Sequence, residues 1–202
     1  LRLYFRVGGF PPALLEAGEA GREPMQARKI YQRWLSGDIQ KLGKQEIYLR
    51  ELMGQIARTM TTPISLQSLA AKTQMGSHHT AQEYVGILED CFAVKTLYFL
   101  NPDEDAFHFR KNKKFYFRDP MIYWLALAWT GQKAPKAAEE RLAEMVAHEA
   151  ISNRYQRMGY YQTAGGEIDF IGGHDWAIEV KWSWSASPLS SPQPPRSSPG
   201  SP

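Results

Sequence analysis

Two short runs of alternating apolar and polar residues, 167–170 and 177–180, constrain the fold more than any other feature of this sequence. The residues between them, 172–175, are Gly-Gly-His-Asp, which is typical of a tight turn. Alternation on both sides of such a turn predicts a β-hairpin.

Three charged residues lie on this predicted hairpin: Asp169 on the first strand, and Glu179 and Lys181 on the second. Glu179 and Lys181 are two residues apart, so their side chains leave the same face of the strand. Asp169 can meet them there. Two carboxylates and an ammonium could hold a hard divalent cation and a water molecule beside a phosphodiester. The alternative is an ordinary hairpin with a charged solvent face.

The spacing of these three residues resembles the Asp…Glu-x-Lys core of the restriction-endonuclease-like nuclease superfamily. The resemblance implies that Asp169 and Glu179 hold Mg²⁺. It also implies that Lys181 steadies the attacking hydroxide.

The composition excludes several classes of protein. The chain has 202 residues, 22% of them charged, and a net charge of +3, which is too small to indicate nucleic-acid binding without a local concentration of cations. Cys91 is the only cysteine, so no internal disulfide can form and a cytoplasmic location is expected. No apolar run approaches the ~20 residues that span a membrane.

The first two thirds of the chain predict helices followed by a β-ribbon. Residues 1–44 form an N-terminal helical segment, and residues 45–130 contain three helices, the second and third capped by Ser65 and Ser77. Strand-forming residues follow at 92–100, 107–109 and 115–117. This order predicts a winged-helix domain with an appended helix.

A cluster of cations at the predicted hairpin tip suggests contact with DNA. The nucleic-acid-binding candidates are Arg110, Lys111, Lys113 and Lys114, with Arg118 beyond them. Such a cluster could neutralise a duplex backbone. The alternative is a basic but merely solvated turn in a winged helix that contacts proteins.

The remainder predicts a second, α/β region. Asp119-Pro120 opens an almost wholly apolar helix, and residues 131–136 form a linker. A long helix over 137–158, closed by Gly159, carries Glu144 and precedes a strand at 160–164. This helix and three strands correspond to the restriction-endonuclease-like core. The resemblance makes Glu144 the helical acid that completes the site.

The order of several motifs resembles the C-terminal half of the prokaryotic AAA-type P-loop ATPases. That region carries an uncharacterised winged-helix and nuclease-like part. The motifs, spread over residues 1 to about 182, include Gly8-Gly-Phe-Pro11, Lys113-Lys-Phe-Tyr-Phe-Arg-Asp119, Glu144-x-Val146-x-x-Glu149, Glu167-Ile-Asp-Phe170 and Ile178-Glu-Val-Lys181. The resemblance implies an upstream ATPase domain. This sequence has no Gly-x4-Gly-Lys-Ser/Thr loop, so neither an ATP site nor ATPase activity is expected.

The sequence therefore predicts an α+β fragment: a winged helix, a truncated nuclease-like domain at 137–182, and a disordered Ser/Pro tail at 183–202 that originates from truncation or a changed reading frame. The expected function is a DNA- or partner-interacting module of an AAA-type ATPase. Its nuclease-like site would be a Mg²⁺-dependent phosphodiesterase in the intact parent and inactive here. A non-catalytic regulatory module and a structural relic remain as alternatives.

Overall fold

Helices account for most of the regular secondary structure. The computed structural model describes residues 1–183, and these contain eight helices: α1 (Arg2–Val7), α2 (Pro11–Ala17), α3 (Met25–Lys41), α4 (Glu46–Thr59), α5 (Leu66–Ala71), α6 (His78–Asp90), α7 (Pro120–Trp129) and α8 (Ala138–Arg154). The predicted tail lies, from residue 184 onward, outside the described residues.

The strands are short, and the ladders among residues 1–183 are antiparallel, with one isolated parallel bridge between Phe99 and Tyr160. They are β1 (Val94–Tyr98), β2 (Leu100–Asn101), β3 (Ala106–Phe107), β4 (Lys113–Phe117), β5 (Gly159–Thr163), β6 (Gly166–Ile171) and β7 (Ala177–Ile178). Strand β1 pairs with β4, β2 with β3, and the last three strands form a sheet in the order β5-β6-β7. The predicted α+β class is confirmed.

Local capping chemistry determines where several helices begin. The hydroxyls of Ser65 and Ser77 accept hydrogen bonds from the backbone N–H groups of Ser68 and Thr80. Asp119 accepts one from Met121 N–H at the start of α7, with Pro120 in the first helical position. These caps satisfy N–H groups that have no partner within the helix, and all three were predicted from the sequence.

The pairing of β2 and β3 corrects the predicted ribbon. Phe107 lies opposite Leu100, and β4 pairs with β1 from Val94↔Phe117 to Tyr98↔Lys113. No strand pairing joins β3 to β4 within the described residues, so the predicted hairpin between them does not form. Arg110 and Lys111 lie in a loop, 108–112, and Lys113 and Lys114 begin β4. Alternation identifies strands, but it does not specify which strand pairs with which.

Gly159 has a different role from the predicted one. Helix α8 ends at Arg154, and Gly159 is the first residue of β5. A Cβ at this position would overlap the side chain of Leu100 and approach the carbonyl oxygen of Tyr98 to 2.8 Å. Glycine is therefore needed because β5 crosses directly over the β1–β2 segment.

The core is continuous across the predicted linker. Helix α7 is buried over most of its surface and packs against α1 and α4, and α8 packs against β4. Phe5 near the N-terminus and Phe170 in β6 belong to the same cluster of buried residues. In residues 1–183, no helix combines the length and apolarity needed to span a membrane.

Candidate functional site: an acidic cleft and a basic groove

A buried lysine lies where three carboxylates converge. The side chain of Lys114, in β4, has no exposed surface. Its Nζ is 3.0 Å from Glu144 Oε1 on α8, 2.5 Å from Glu167 Oε1 and 3.3 Å from Asp169 Oδ1, the latter two on β6. Burying an ammonium is costly unless it is paired, and these carboxylates supply the pairing.

Tyr116 and the backbone of Val180 complete the network. Tyr116 lies two residues after Lys114, so both side chains leave the same face of β4. The Tyr116 hydroxyl donates to Glu144 Oε1 at 2.6 Å, and Val180 N–H donates to Asp169 Oδ2 at 2.9 Å. Both polar ends of the Asp169 carboxylate are therefore engaged within the protein.

The charges in this network shift one another's pKa. Burial by itself would lower the pKa of Lys114, but Glu144, Glu167 and Asp169 outweigh it and hold this pKa above its usual value. Burial raises the pKa of Glu144, and the nearby Lys114 and Tyr116 oppose that rise only in part. Lys114 is thus kept protonated, whereas Glu144 gains a proton more readily than an exposed glutamate.

The four predicted catalytic residues line one cleft, which we call the acidic cleft. Glu144, Asp169, Glu179 and Lys181, together with Glu167, border a space of about 690 Å³ between the start of α8 and the β6–β7 sheet. Lys181 Nζ lies 3.2 Å from Glu179 Oε1, and both side chains are mostly exposed. The structure therefore brings the four residues together; their catalytic role stays a prediction.

The donor set suits Mg²⁺ in its chemistry but is not gathered into a metal site. Carboxylate oxygens are the ligands that hard divalent cations prefer. Within residues 1–183, however, no three His, Cys, Asp or Glu side chains form a group that could hold a metal ion. The inner carboxylates instead face the ammonium of Lys114, so the predicted Mg²⁺ remains a proposal.

A second concave surface, the basic groove, lies between the starts of α5 and α6 and the loop 108–112. It has a volume of about 530 Å³ and is lined by Ser65, Leu66, Gln67, His78, Gln82, Tyr98, Phe109, Arg110, Lys111 and Lys113. Three of these described residues are cations and none is acidic. Lys113 Nζ also donates to the carbonyls of Phe109 and Lys111, so it stabilises the loop that carries the other two cations.

Lys114 does not belong to this basic groove. The sequence grouped it with Arg110, Lys111 and Lys113 as a phosphate contact, but its full burial and its three ion pairs leave it no surface to offer. Side chains alternate along a strand, so Lys113 faces the groove and Lys114 faces the acidic cleft. The nucleic-acid-binding candidates are thus reduced to the other three cations.

The sequence analysis also did not predict that Glu167 pairs with Lys114 or that Tyr116 donates to Glu144. A weak signal was present, because Lys114 and Tyr116 sit in a run with Phe115 and Phe117, where a lysine is unexpected unless it is paired. Nothing in the local sequence identified Glu144 or Glu167 as the partners, since they lie 30 and 53 positions further along the chain.

Comparison with known proteins places the chain in a family. The family model described as Domain of unknown function (DUF8612) matches residues 1–133, and the chain belongs to this family. The match includes the basic groove and Lys114 but ends before the four predicted catalytic residues. No curated protein and no solved structure matches the chain.

Proposed function

We propose that this member of the DUF8612 family binds nucleic acid through the basic groove. The observation that carries the proposal is the set of three cations, Arg110, Lys111 and Lys113, on a concave surface whose described lining includes no carboxylate. Neutralisation of phosphates by such cations releases counterions and supplies most of the affinity of non-specific binding.

The surrounding elements support a winged-helix arrangement for residues 45–130. Helices α5 and α6 pack against each other after α4, and the β1–β4 ribbon follows them. His78 and Gln82, on the first two turns of α6, line the groove beside the cations. Their side chains can donate hydrogen bonds to base edges and accept hydrogen bonds from them. Contacts between cations and phosphates carry no such sequence information.

Salt-dependent binding tests this proposal. Binding of a labelled oligonucleotide is measured between 50 and about 200 mM salt for the wild type and for an Arg110/Lys111/Lys113→Ala variant. The log–log slope should become shallower by about 2 to 3, one for each lost phosphate contact. A matched control, Lys29/Arg33/Lys41→Ala, removes the same charge from the exposed face of α3. Equal slopes for the wild type and the groove variant would contradict the proposal.

We propose that this module forms the C-terminal region of an AAA-type ATPase. The order of motifs in the sequence supports this proposal. Its partner there would be the ATPase domain. The alternative is a regulatory module of that ATPase that contacts protein only. A groove variant that binds oligonucleotides as well as the wild type does would favour this alternative.

A second candidate function is metal-dependent phosphodiester cleavage in the acidic cleft. It is favoured by the position of Glu144, Asp169, Glu179 and Lys181 around one space, and by the order of α8, β5, β6 and β7, which resembles that of a restriction-endonuclease-like core. Asp169 and Glu179 would hold Mg²⁺, which supplies Lewis acidity when bound. The exposed ammonium of Lys181 would stabilise negative charge on the phosphate.

Metal binding and cleavage together test this second candidate. Mn²⁺ binding is followed by electron paramagnetic resonance, and cleavage of DNA by gel assay, for the intact parent protein as the wild type and for its Asp169→Asn and Lys181→Ala variants. Loss of Mn²⁺ binding in Asp169→Asn, with Mn²⁺ retained but no cleavage in Lys181→Ala, is the expected pattern. If the wild type binds no Mn²⁺, the network around Lys114 is a structural ion cluster only.

A further inference from the structure

A small aromatic cavity lies directly behind the basic groove. It has a volume of about 260 Å³, and its walls include Tyr98, Phe107, Phe109 and Tyr155. Tyr98 and Phe109 line both the cavity and the groove, so the two spaces share a wall. The cavity falls just below the usual range of ligand pockets, about 300 to 1,000 Å³, and suits a single ring system.

Two polar atoms in residues that line this cavity have no hydrogen-bond partner. They are Thr96 Oγ1 and His148 Nε2, and neither finds a donor or acceptor among the described residues. Native proteins rarely leave buried polar atoms unpaired, because such atoms lose their hydrogen bonds to water. Thr96 lies opposite Phe115 in the β1–β4 ladder, whereas the His148 ring stacks on Tyr116, so the two atoms lie on opposite faces of the ribbon and neither is open to the cavity. The cavity therefore offers a ligand aromatic surface for stacking.

His148, one of the residues around the cavity, is buried and stays neutral. Burial lowers its pKa to about 3, and the cations of Lys95, Arg118 and Lys114 act in the same direction. Its ring stacks on Tyr116 at 4.3 Å between centroids and an angle of 12°, which fixes the plane of the imidazole. The neutral imidazole therefore adds no charge beside the aromatic walls of the cavity.

Phe109 occupies the boundary between the groove and the cavity. The residue remains 63% exposed even though it forms part of both walls. Tyr98 supports it edge-on at 5.1 Å, and Lys113 Nζ lies 5.8 Å from the Tyr98 ring. An exposed ring among cations is the arrangement on which unpaired bases stack while their phosphates are neutralised.

We propose that the cavity receives one unpaired base of a single-stranded nucleic acid whose backbone lies in the basic groove. The base stacks against the ring of Phe109, which lines both spaces. A base inside a duplex is stacked and paired on all sides, so it cannot enter without being extruded. The inference rests on the proposed nucleic-acid binding and adds a preference for single strands.

The test compares four oligonucleotide probes of equal length: single-stranded DNA, single-stranded RNA, the same DNA strand in a duplex, and a strand of abasic sugar-phosphates. The wild type should bind both single strands more tightly than the duplex and the abasic strand. Phe109→Ala should weaken single-strand binding at least about fivefold and leave abasic binding unchanged.

Phe92→Ala is the matched control, because Phe92 is 70% exposed and lies outside the cavity and the groove. It should leave all four affinities unchanged. The inference is overturned if the wild type binds the duplex and single strands equally, if Phe109→Ala weakens abasic binding as much as normal binding, or if Phe92→Ala has the same effect. Should the Arg110/Lys111/Lys113→Ala variant lose affinity while Phe109→Ala does not, only the base cavity fails; should neither lose affinity, the proposed function fails.

Discussion

Lys113 and Lys114 are consecutive residues of β4, yet their ammonium groups serve opposite sides of the strand. Lys113 Nζ donates to the carbonyl of Phe109 at 2.8 Å, beside the basic groove. Lys114 Nζ lies 3.0 Å from Glu144 Oε1, in the acidic cleft. One strand thus separates two surfaces of opposite charge, and its alternation of side chains decides which lysine belongs to which surface.

Replacement of Lys114 should destabilise the protein strongly. Lys114→Met removes the only cation that contacts Glu144, Glu167 and Asp169 within the described residues, and leaves their charges uncompensated. We expect the free energy of unfolding to fall by about 3 kcal/mol at pH 7, measured by urea denaturation. The loss should shrink in acid, because burial raises the pKa of Glu144 and this carboxylate then takes up a proton more readily. Lys113→Met is the control and should cost under about 1 kcal/mol; equal losses would refute the role of Lys114.

Loss of the Asp119 carboxylate should cost more than loss of an ordinary helix cap. Its Oδ1 caps α7 through Met121 N–H at 2.7 Å, and its Oδ2 accepts from Gly9 N–H at 2.7 Å. Asp119→Ala therefore removes a cap and also leaves Gly9 N–H unpaired, for about 2 to 3 kcal/mol. Ser77→Ala removes only a cap and should cost about 1 kcal/mol. Thermal unfolding of both variants measures the difference, and similar losses would show that the Gly9 contact adds nothing.

His148 should make stability depend on pH in acid. Burial lowers its folded-state pKa to about 3 from an ordinary value of 6.5. The unfolded chain therefore takes up a proton before the folded protein does, and stability falls as the pH drops from about 6.5 to 3, by up to about 1.4 kcal/mol per pH unit. His148→Phe removes this contribution. Urea denaturation across this range should show the stability of the wild type falling relative to that of His148→Phe as the pH drops, whereas parallel curves would mean that His148 does not titrate as expected.

Gly159 should tolerate no side chain. A Cβ there overlaps Leu100, so Gly159→Ala forces β5 away from the β1–β2 segment and should cost about 2 kcal/mol. The control is Gly166→Ala in the neighbouring strand β6, where a Cβ meets no atom within 4 Å of the described structure. Differential scanning calorimetry should show a melting temperature several degrees lower for Gly159→Ala only. Equal melting temperatures for the two variants would mean that β5 packs less closely against the β1–β2 segment than the structure shows.

Features that depend on neighbouring residues in the chain were predicted closely. The helix beginnings at Ser65, Ser77 and Asp119 agree with the structure, because a cap joins a side chain to a backbone N–H two or three residues away. The hairpin formed by β6 and β7 was also predicted, since its turn and its alternation are both local. The end of α8 at Arg154 was missed by four residues, because a gradual loss of helical packing leaves no comparable mark.

The sequence alone determined the α+β class, most helix positions and the β6–β7 hairpin that carries Asp169, because short-range hydrogen bonding and periodicity specify them. Glu179 and Lys181 were predicted on the second strand, but β7 ends at Ile178 and both residues follow it. Only the tertiary structure decided that β3 pairs with β2, that Lys114 leaves the basic cluster, and that Glu144 and Glu167 meet it in the acidic cleft. These contacts join residues up to 53 positions apart, and their formation depends on which buried charge can be paired. The sequence shows that two lysines are adjacent. Which of them is buried beside the carboxylates depends on contacts with distant residues, and only the folded structure shows these contacts.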